Sequence, residues 1–166
     1  MLIRPVTPRD RELLAPLEEA ADAVLTDLLR PDRWLPAESG EARAAQPGFI
    51  LVAEVNGIVV GFVHVLEIDG AHLEQLSVHP SHARRGLGRA LVIAAQAEAG
   101  RRGHERITLR TFRDVAFNAP FYATVGFVES APSTEFERSL VEVETRLGLD
   151  RYGPRIQMTA PTDHPA

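Results

Sequence analysis

Residues 49–80 constrain the fold most, because they contain three successive runs of strand-forming residues. The first two runs, 49–55 and 58–69, are rich in β-branched residues and are joined by Asn56-Gly57. That dipeptide readily adopts the positive φ angles of a tight turn, which predicts an antiparallel hairpin. The third run, 71–80, ends at Pro80, which cannot donate a further sheet hydrogen bond. The sequence therefore predicts a sheet that begins with antiparallel strands.

The rest of the chain alternates between extended and helical patterns. A strand at 2–7 precedes a helical pattern at 8–29, in which Pro16 breaks or kinks the helix. After the hairpin region, helical periodicity alternates with strands in the order helix 86–100, strand 106–112, helix 118–125, a strand after Gly126, helix 133–148 (capped at Ser133 or Thr134) and strand 155–158. The helix at 86–100 should make the strands around Leu73 and Leu109 parallel neighbours. This order predicts an α/β (α+β) fold with a mixed, mostly antiparallel central sheet flanked by helices.

Length and charge limit the domain count and the partners. The chain of 166 residues can bury one sizeable core and shows no repeat or linker, so a single domain is predicted over 1–166, with a disordered tail at about 160–166. The formal net charge is −5, and no broad basic face is evident, which disfavours nucleic-acid binding. No apolar run is long enough to cross a bilayer. We expect a cytoplasmic protein without nucleic-acid or membrane partners, and a homodimer is an open alternative.

Two missing residue types exclude whole classes of chemistry. The sequence has no cysteine, which excludes disulfides, thiolate metal sites and cysteine nucleophiles. It also has no lysine, which excludes Schiff-base chemistry and the lysine of an NTPase phosphate loop. His79 and His82 lack carboxylates at ligand spacing, so no metal site is predicted.

A basic cluster, HPSHARRGLGRALV, stands at 79–92 in this acidic chain. A helix N-terminus presents unpaired N–H groups, and Gly86 and Gly88 remove side chains that would keep an anion away from them. Full positive charges come from three arginines, Arg84, Arg85 and Arg89. A dinucleotide fingerprint would need Gly or Ala where Leu91 stands. The cluster is typical of a pyrophosphate cradle; the alternative is an ordinary turn with solvated arginines.

The stretch LSVHPSHARRGLGRAL resembles the acyl-CoA-binding signature of the GNAT superfamily of acyltransferases. That signature is a strand ending in Val-x-Pro, followed by an R/Q-x-x-G-x-G/A turn into a helix. The segment NAPFYATVGF at 118–127 is similar to the family's N-x-x-x-Y-x-x-x-G-F segment, and strand order agrees from about Leu2 to Phe127. One departure is Ala83, where the family usually has Arg or Gln. We therefore expect backbone amides to do most of the phosphate binding.

The resemblance implies a GNAT-like acyl-CoA N-acyltransferase fold that binds acetyl-CoA, with no metal. The pyrophosphate would lie on the turn, the pantetheine arm would pair with the preceding strand end, and Asn118 would contact the arm from the other side of a cleft. The implied cofactor-binding residues are Leu76, Ser77, Val78, Arg84, Arg85, Gly86, Leu87, Gly88, Arg89 and Asn118. For Asn118, capping of the following helix is the alternative.

Acyl transfer to an amine needs a base, an oxyanion donor and an acid for the leaving thiolate. Tyr122 is the candidate acid, because its phenol pKa of about 10 is close to that of an alkyl thiol; the alternative is a packed core aromatic. Glu74 is the candidate base, directly or through water, on the strand where the family often has such a carboxylate; the alternative is a surface glutamate. His64 and His72 are weaker base candidates, and the oxyanion donor is expected near Val78.

These residues predict an N-acetyltransferase that transfers an acetyl group from acetyl-CoA to a primary amine by direct attack in a ternary complex. The alternatives are a noncatalytic acyl-CoA-binding regulatory module and an interaction domain whose turn binds another anion. The amine could belong to a small molecule or a peptide, recognised by the first helices, the loop around Trp34 and the segment after Gly126. The acceptor, the acyl length, the role of Glu74 as base and the oligomeric state are open at this level.

Overall fold

The computed structural model describes residues 1–162, and 163–166 of the predicted tail lie outside the described residues. The strands of this part are β1 (Leu2–Pro5), β2 (Gly48–Val55), β3 (Ile58–Glu67), β4 (Ala71–Val78), β5 (Arg106–Phe112), β6 (Val128–Ser130) and β7 (Arg155–Pro161). Its α-helices are α1 (Arg11–Leu29), α2 (Gly40–Ala44), α3 (Leu87–Arg101), α4 (Ala119–Ala123) and α5 (Glu135–Leu147). None of the helices in residues 1–162 is both long and apolar enough to cross a membrane.

The strands form one sheet in the order β1-β2-β3-β4-β5-β7-β6. The pairs β1–β2, β2–β3, β5–β7 and β6–β7 are antiparallel, whereas β4 and β5 are parallel. The parallel register joins Ala71 to Ile107 and His72 to Thr108. The prediction of a mixed, mostly antiparallel sheet flanked by helices is confirmed, as is the parallel pairing of the two strands that α3 connects.

The chain divides into two compact units, and the single domain over 1–166 stays a prediction. The first unit comprises Met1–Leu66 and Leu73–Ala95; the second comprises Glu67–His72 and the residues from Gln96 onward. In the first unit, β2 and β3 form the predicted hairpin. Asn56 (φ 51°) and Gly57 (φ 77°) make the turn in the left-handed region, as their sequence indicates.

Helix α1 packs on the first unit's strands through one face. Leu14 and Leu17 are buried against three core residues, Ile50, Val52 and Phe62. The helix runs without interruption past Pro16, which stands in its second turn. A proline there removes only one intrahelical hydrogen bond, to the carbonyl of Glu12, and the packing of the buried face compensates for it.

Helix α5 is held in the second unit by a capping box and by ion pairs. Thr134 Oγ1 accepts a hydrogen bond from Glu137 N at 3.1 Å, and the Glu137 carboxylate accepts one from Thr134 N at 3.3 Å. This confirms Thr134 as the cap. Near the other end of α5, the Glu144 carboxylate binds Arg110 on β5 and Arg155 on β7.

Strand β7 is longer than the predicted strand at 155–158. Its antiparallel register with β5 continues to Pro161, which pairs with Arg106. Thr162 is buried, and its N–H donates to the carbonyl of Glu105 at 3.1 Å. Residues 160–162 are therefore paired, which differs from the expectation of a disordered tail at about 160–166. The partners that order them are more than fifty residues away in the sequence.

Candidate active site

The glycine–arginine turn connects β4 to α3. A short 3₁₀ segment, Pro80–His82, precedes the turn, and α3 begins at Leu87. Arg84 (φ 60°) and Gly86 (φ 78°) both lie in the left-handed region. A Cβ atom added to Gly86 would meet nothing within 4 Å, so the backbone conformation is what favours glycine at this position.

The turn presents the open end of α3. A hydrogen bond runs from Ala90 N to the carbonyl of Gly86 at 3.0 Å. The amides of Leu87 and Gly88 precede that bond in the first turn of the helix, where N–H groups have no intrahelical acceptor. The Leu87 side chain is buried and anchors the helix, while the side chains of Arg84 and Arg85 are exposed. Exposed arginines beside a helix N-terminus suit a phosphate group.

The end of β4 lies unusually close to β3. A Cβ atom on Gly61 would stand 2.8 Å from the carbonyl oxygen of Ser77 and 3.2 Å from Val78 Cγ2. His79 N donates to the carbonyl of Val60 at 2.8 Å, which fixes the strand just beyond this point. Gly61 therefore allows the approach that holds Ser77 and Val78. The sequence signal for it is a glycine inside a β-branched run, which often marks close backbone approach.

Glu74, the predicted base, belongs to a charged cluster in the first unit. Its Oε2 accepts a short hydrogen bond from Arg43 Nη1 and lies 3.4 Å from His64 Nδ1. The Arg43 side chain is only 2% exposed, and its Nη2 donates to Glu18 Oε2 at 2.7 Å. The Glu74 side chain is 33% exposed. Glu74 is therefore anchored from inside the fold and still reaches solvent.

Burial and pairing shift the carboxyl groups of this cluster in opposite directions. Burial raises the pKa of Glu18 to about 7, although Arg43 opposes the shift. Burial also raises the pKa of Asp22, whose carboxylate accepts a hydrogen bond from Trp34 Nε1 at 3.2 Å. Burial acts upward on Glu74 too, but the neighbouring His64 ring and the charge of Arg43 hold its pKa below the usual range. Glu74 is consequently ionised at neutral pH.

Sequence reasoning missed Arg43 and Glu18. Glu18 follows Leu14 by four residues and so shares the buried face of α1, where a charged residue is a signal of an internal partner. Arg43 lies in a short helix within a turn-rich stretch, and nothing in its local pattern indicates burial. The sequence indicates His64 only as a weaker base candidate, because its place beside Glu74 depends on strand pairing.

Asn118 precedes α4 but does not cap it with its side chain. No cap hydrogen bond comes from the side chain; instead, Oδ1 accepts hydrogen bonds from Thr111 Oγ1 at 3.0 Å and from Phe112 N at 3.4 Å. Asn118 is thus the N-cap residue of α4 by position, as the capping alternative has it, but its side chain makes no cap hydrogen bond. The backbone carbonyl of Asn118 accepts from Tyr122 N at 3.0 Å, which fixes the two residues one helical turn apart.

Tyr122 lies among aromatic rings of the second unit. Its ring meets those of Phe121 and Phe127 edge to face, with centroids 5.1 and 5.8 Å away. Burial raises the pKa of the Tyr122 phenol well above its usual value, against an opposing effect of Arg155. The phenol is thus protonated at neutral pH, but its raised pKa lies above that of an alkyl thiol, so the match on which its choice as the acid rests does not hold in this environment. Tyr122 and Asn118 belong to the second unit, whereas Glu74, the end of β4 and the glycine–arginine turn belong to the first.

The family model described as the acetyltransferase (GNAT) family matches residues 15–127. The chain belongs to the GNAT family. The match covers more than half of the chain and includes both the turn before α3 and the α4 segment. The resemblance expected from the sequence motifs is confirmed.

The curated relatives of this GNAT chain match it over only part of their length. Mycothiol acetyltransferase from Clavibacter sepedonicus is 32% identical over 92 residues, which are 54% of this chain and 30% of that protein. A second such relative, from Clavibacter michiganensis, is covered over 34% of its length, so the match spans about a third of these curated relatives.

Solved structures share the fold over nearly the whole chain. The ribosomal-protein-S18-alanine N-acetyltransferase from Escherichia coli has a TM-score of 0.68 and 21% identity, with 99% of this chain and 96% of that one covered. The PaiA N-acetyltransferase from Thermoplasma acidophilum, in complex with coenzyme A, has a TM-score of 0.71 and 14% identity, with 96% and 98% covered. At these identities the likeness establishes the GNAT acyltransferase fold.

Proposed function

We propose that this chain is an N-acetyltransferase that moves an acetyl group from acetyl-CoA to a primary amine by direct attack in a ternary complex. The observation that carries the proposal is the turn before α3. There, the amides of Leu87 and Gly88 lie in the first turn of the helix. The residues before the helix include Arg84 and Gly86, which adopt left-handed backbone conformations. Coenzyme A bound to the PaiA relative supports acyl-CoA as the donor.

The donor's pyrophosphate is assigned to the turn and its pantetheine arm to the end of β4. Backbone amides of residues 84–89 would bind the phosphate oxygens, so Ala83 in place of Arg or Gln does not abolish the site. Leu76, Ser77 and Val78 lie beyond the two residues of β4 that pair with β5. Their backbone groups are assigned to the amides of the pantetheine arm. Asn118 is assigned to the same arm as the sequence motif implies.

The chemistry requires one bond exchange and two proton movements. The amine nitrogen attacks the thioester carbonyl, and its N–H becomes acidic as the C–N bond forms. That proton passes to the carboxylate of Glu74, directly or through one water. The C–S bond then breaks, and the departing CoA thiolate takes the proton of the Tyr122 hydroxyl. A covalent acyl-cysteine intermediate is excluded because the sequence contains no cysteine.

Titration calorimetry with CoA and acetyl-CoA tests the donor site. At a hundredfold excess over its dissociation constant, CoA should stabilise the fold by about 2.7 kcal/mol, or roughly 5–10 °C in melting temperature at this chain length. Gly88→Val should block the approach to the amides, and Arg84→Gln should weaken binding in a salt-sensitive way, by about 1.5–3 kcal/mol for a lost charge-assisted hydrogen bond.

Arg101→Gln is the matched control, because Arg101 is an exposed arginine at the opposite end of the same helix. It should leave CoA affinity unchanged. Undetectable CoA binding by the wild type would exclude the proposed function. Binding without any acetyl transfer would instead identify a noncatalytic acyl-CoA-binding module.

A further inference from the structure

Arg43 is almost completely buried, yet its guanidinium is committed to side chains from three other elements. Nη2 donates to Glu18 on α1 at 2.7 Å, and Nη1 contacts both Glu74 on β4 and His64 Nδ1 on β3, the latter at 3.0 Å. The face of Phe62 lies 5.6 Å from Cζ. A buried guanidinium is expensive to desolvate, and a hydrophobic side chain of similar size would often stabilise a fold as well or better. Stability alone is therefore a weak reason for an arginine here.

The two oxygens of the Glu74 carboxylate have different surroundings. Arg43 Nη1 and His64 Nδ1 both approach Oε2. Within residues 1–162, no hydrogen bond or ion pair described for Glu74 involves Oε1. The side chain is 33% exposed, in contrast to the 2% of Arg43 and the 9% of Glu18. One oxygen is thus anchored from the interior while the carboxylate as a whole reaches solvent.

An anchored carboxylate with one oxygen available is what a general base requires. A base is effective only when it is held within hydrogen-bond reach of the proton that it removes, which usually requires a third group to orient it. The planar guanidinium provides that orientation because its N–H groups have fixed directions. Its positive charge also lowers the carboxyl pKa, so the carboxylate stays ionised down to lower pH but becomes a weaker base.

We propose that Arg43 is a positioning residue, which anchors Oε2 of Glu74 so that Oε1 takes the proton of the acceptor amine. This inference rests on the proposed function, because it assumes that Glu74 is the base. The ionisable groups that face Glu74 or its guanidinium partner are His64 on β3, Glu18 and Asp22 on α1, and Glu38, whose Oε2 is 3.8 Å from Arg43 Nη1. Their titration must be separated from that of Glu74 in any test.

The test is a set of variants in a Glu18→Gln background, which removes the titration of Glu18 and avoids leaving its charge buried without a partner. Arg43→Gln in that background should move the acid limb of the pH profile of kcat/KM to higher pH by about one to three units, since an adjacent cation lowers a carboxyl pKa by that amount. At a fixed pH on that limb, kcat/KM should therefore fall by about 10- to 1,000-fold. Arg43→Lys, which keeps the charge, should restore most of the limb.

A merely structural role would give a different pattern. Arg43→Gln would then lower the melting temperature and kcat without moving the acid limb, which would overturn the inference. Introduced on top of Glu74→Gln, Arg43→Gln should no longer affect the limb, because the group that it tunes is gone; a persisting shift would also overturn the inference. Carbon-13 NMR titration of the Glu74 carboxyl gives a readout that does not depend on activity, and its pKa should rise in Arg43→Gln.

The activity of the wild type distinguishes a failure of the proposed function from a failure of the role inferred for Arg43. A wild type that binds acetyl-CoA and transfers acetyl groups, combined with an unmoved limb in Arg43→Gln, refutes the inference and leaves the proposed function intact. A wild type that transfers no acetyl group to any amine refutes both.

Discussion

Replacing Glu18 by glutamine should make the stability of the chain less sensitive to pH. The Glu18 side chain is only 9% exposed, and burial raises its pKa from the ordinary 4.5 to about 7 despite the hydrogen bond from Arg43. Between these two values the folded chain holds a proton that the unfolded chain has released. The stability that Glu18 contributes in its protonated form is therefore complete below about pH 4.5 and is lost as the pH rises through about 7.

The size of the effect follows from the shift. One pH unit corresponds to about 1.4 kcal/mol, so the wild type should lose up to about 3 kcal/mol, relative to Glu18→Gln, between pH 4.5 and pH 8. At this chain length the difference in melting temperature should grow by about 6–12 °C over that range. Glutamine keeps an oxygen that can accept from Arg43, so packing changes little.

Thermal unfolding of wild type and variant at half-unit pH steps from 4.5 to 8 measures this difference. Glu19→Gln is the matched control, because Glu19 is an exposed neighbour on the same helix, and it should give a constant offset. A constant offset for Glu18→Gln as well would refute the raised pKa. A wild type that gains stability over the variant with rising pH would show that pairing with Arg43 outweighs burial.

Three further substitutions test separate parts of the structure. Gly61→Ala places a Cβ atom 2.8 Å from the Ser77 carbonyl oxygen, so overpacking should lower the free energy of unfolding by about 1–3 kcal/mol. Calorimetry should also show weaker CoA binding. Unchanged affinity would argue against a pantetheine site at Ser77 and Val78. Tyr122→Phe removes only the hydroxyl, so CoA release should fall about 10²- to 10⁴-fold with CoA affinity unchanged; equal turnover, with chemistry rate-limiting, would leave Tyr122 as a packed aromatic. Thr134→Ala removes the cap of α5 and should lower stability by about 1 kcal/mol, whereas Thr134→Ser should restore it, and an alanine variant as stable as wild type would contradict the capping role.

Local signals were sufficient for much of the fold. The hairpin around Asn56 and Gly57 and the strands β4 and β5 follow from short patterns that carry their own turn or stop signals. The limits of elements that depend on distant partners could not be predicted from local sequence. β7 continues to Pro161 because β5 offers a partner, and α1 continues through Pro16 because its face packs on β2 and β3.

The site shows the same division. The glycine–arginine turn and the Asn118–Tyr122 segment are contiguous in sequence, and they could be predicted as motifs. The cluster around Glu74 could not, because Arg43 is 31 residues away from Glu74 and 25 from Glu18 along the chain. Its existence depends on tertiary packing that brings α1, α2, β3 and β4 together. Of this cluster, only Glu18 has a sequence signal for burial, because it is a charged residue on the apolar face of a helix.

The most direct test of acetyl transfer is the release of free CoA thiol from acetyl-CoA across a panel of primary amines and peptides. The chain contains no cysteine, so a thiol-reactive chromophore reports CoA alone, without a background from the protein. We expect at least one amine to give release that is proportional to enzyme concentration, with an equal amount of N-acetylated amine detected by mass spectrometry. Acetyl-CoA that binds but releases no thiol above the enzyme-free rate with any amine would contradict the assignment as an N-acetyltransferase.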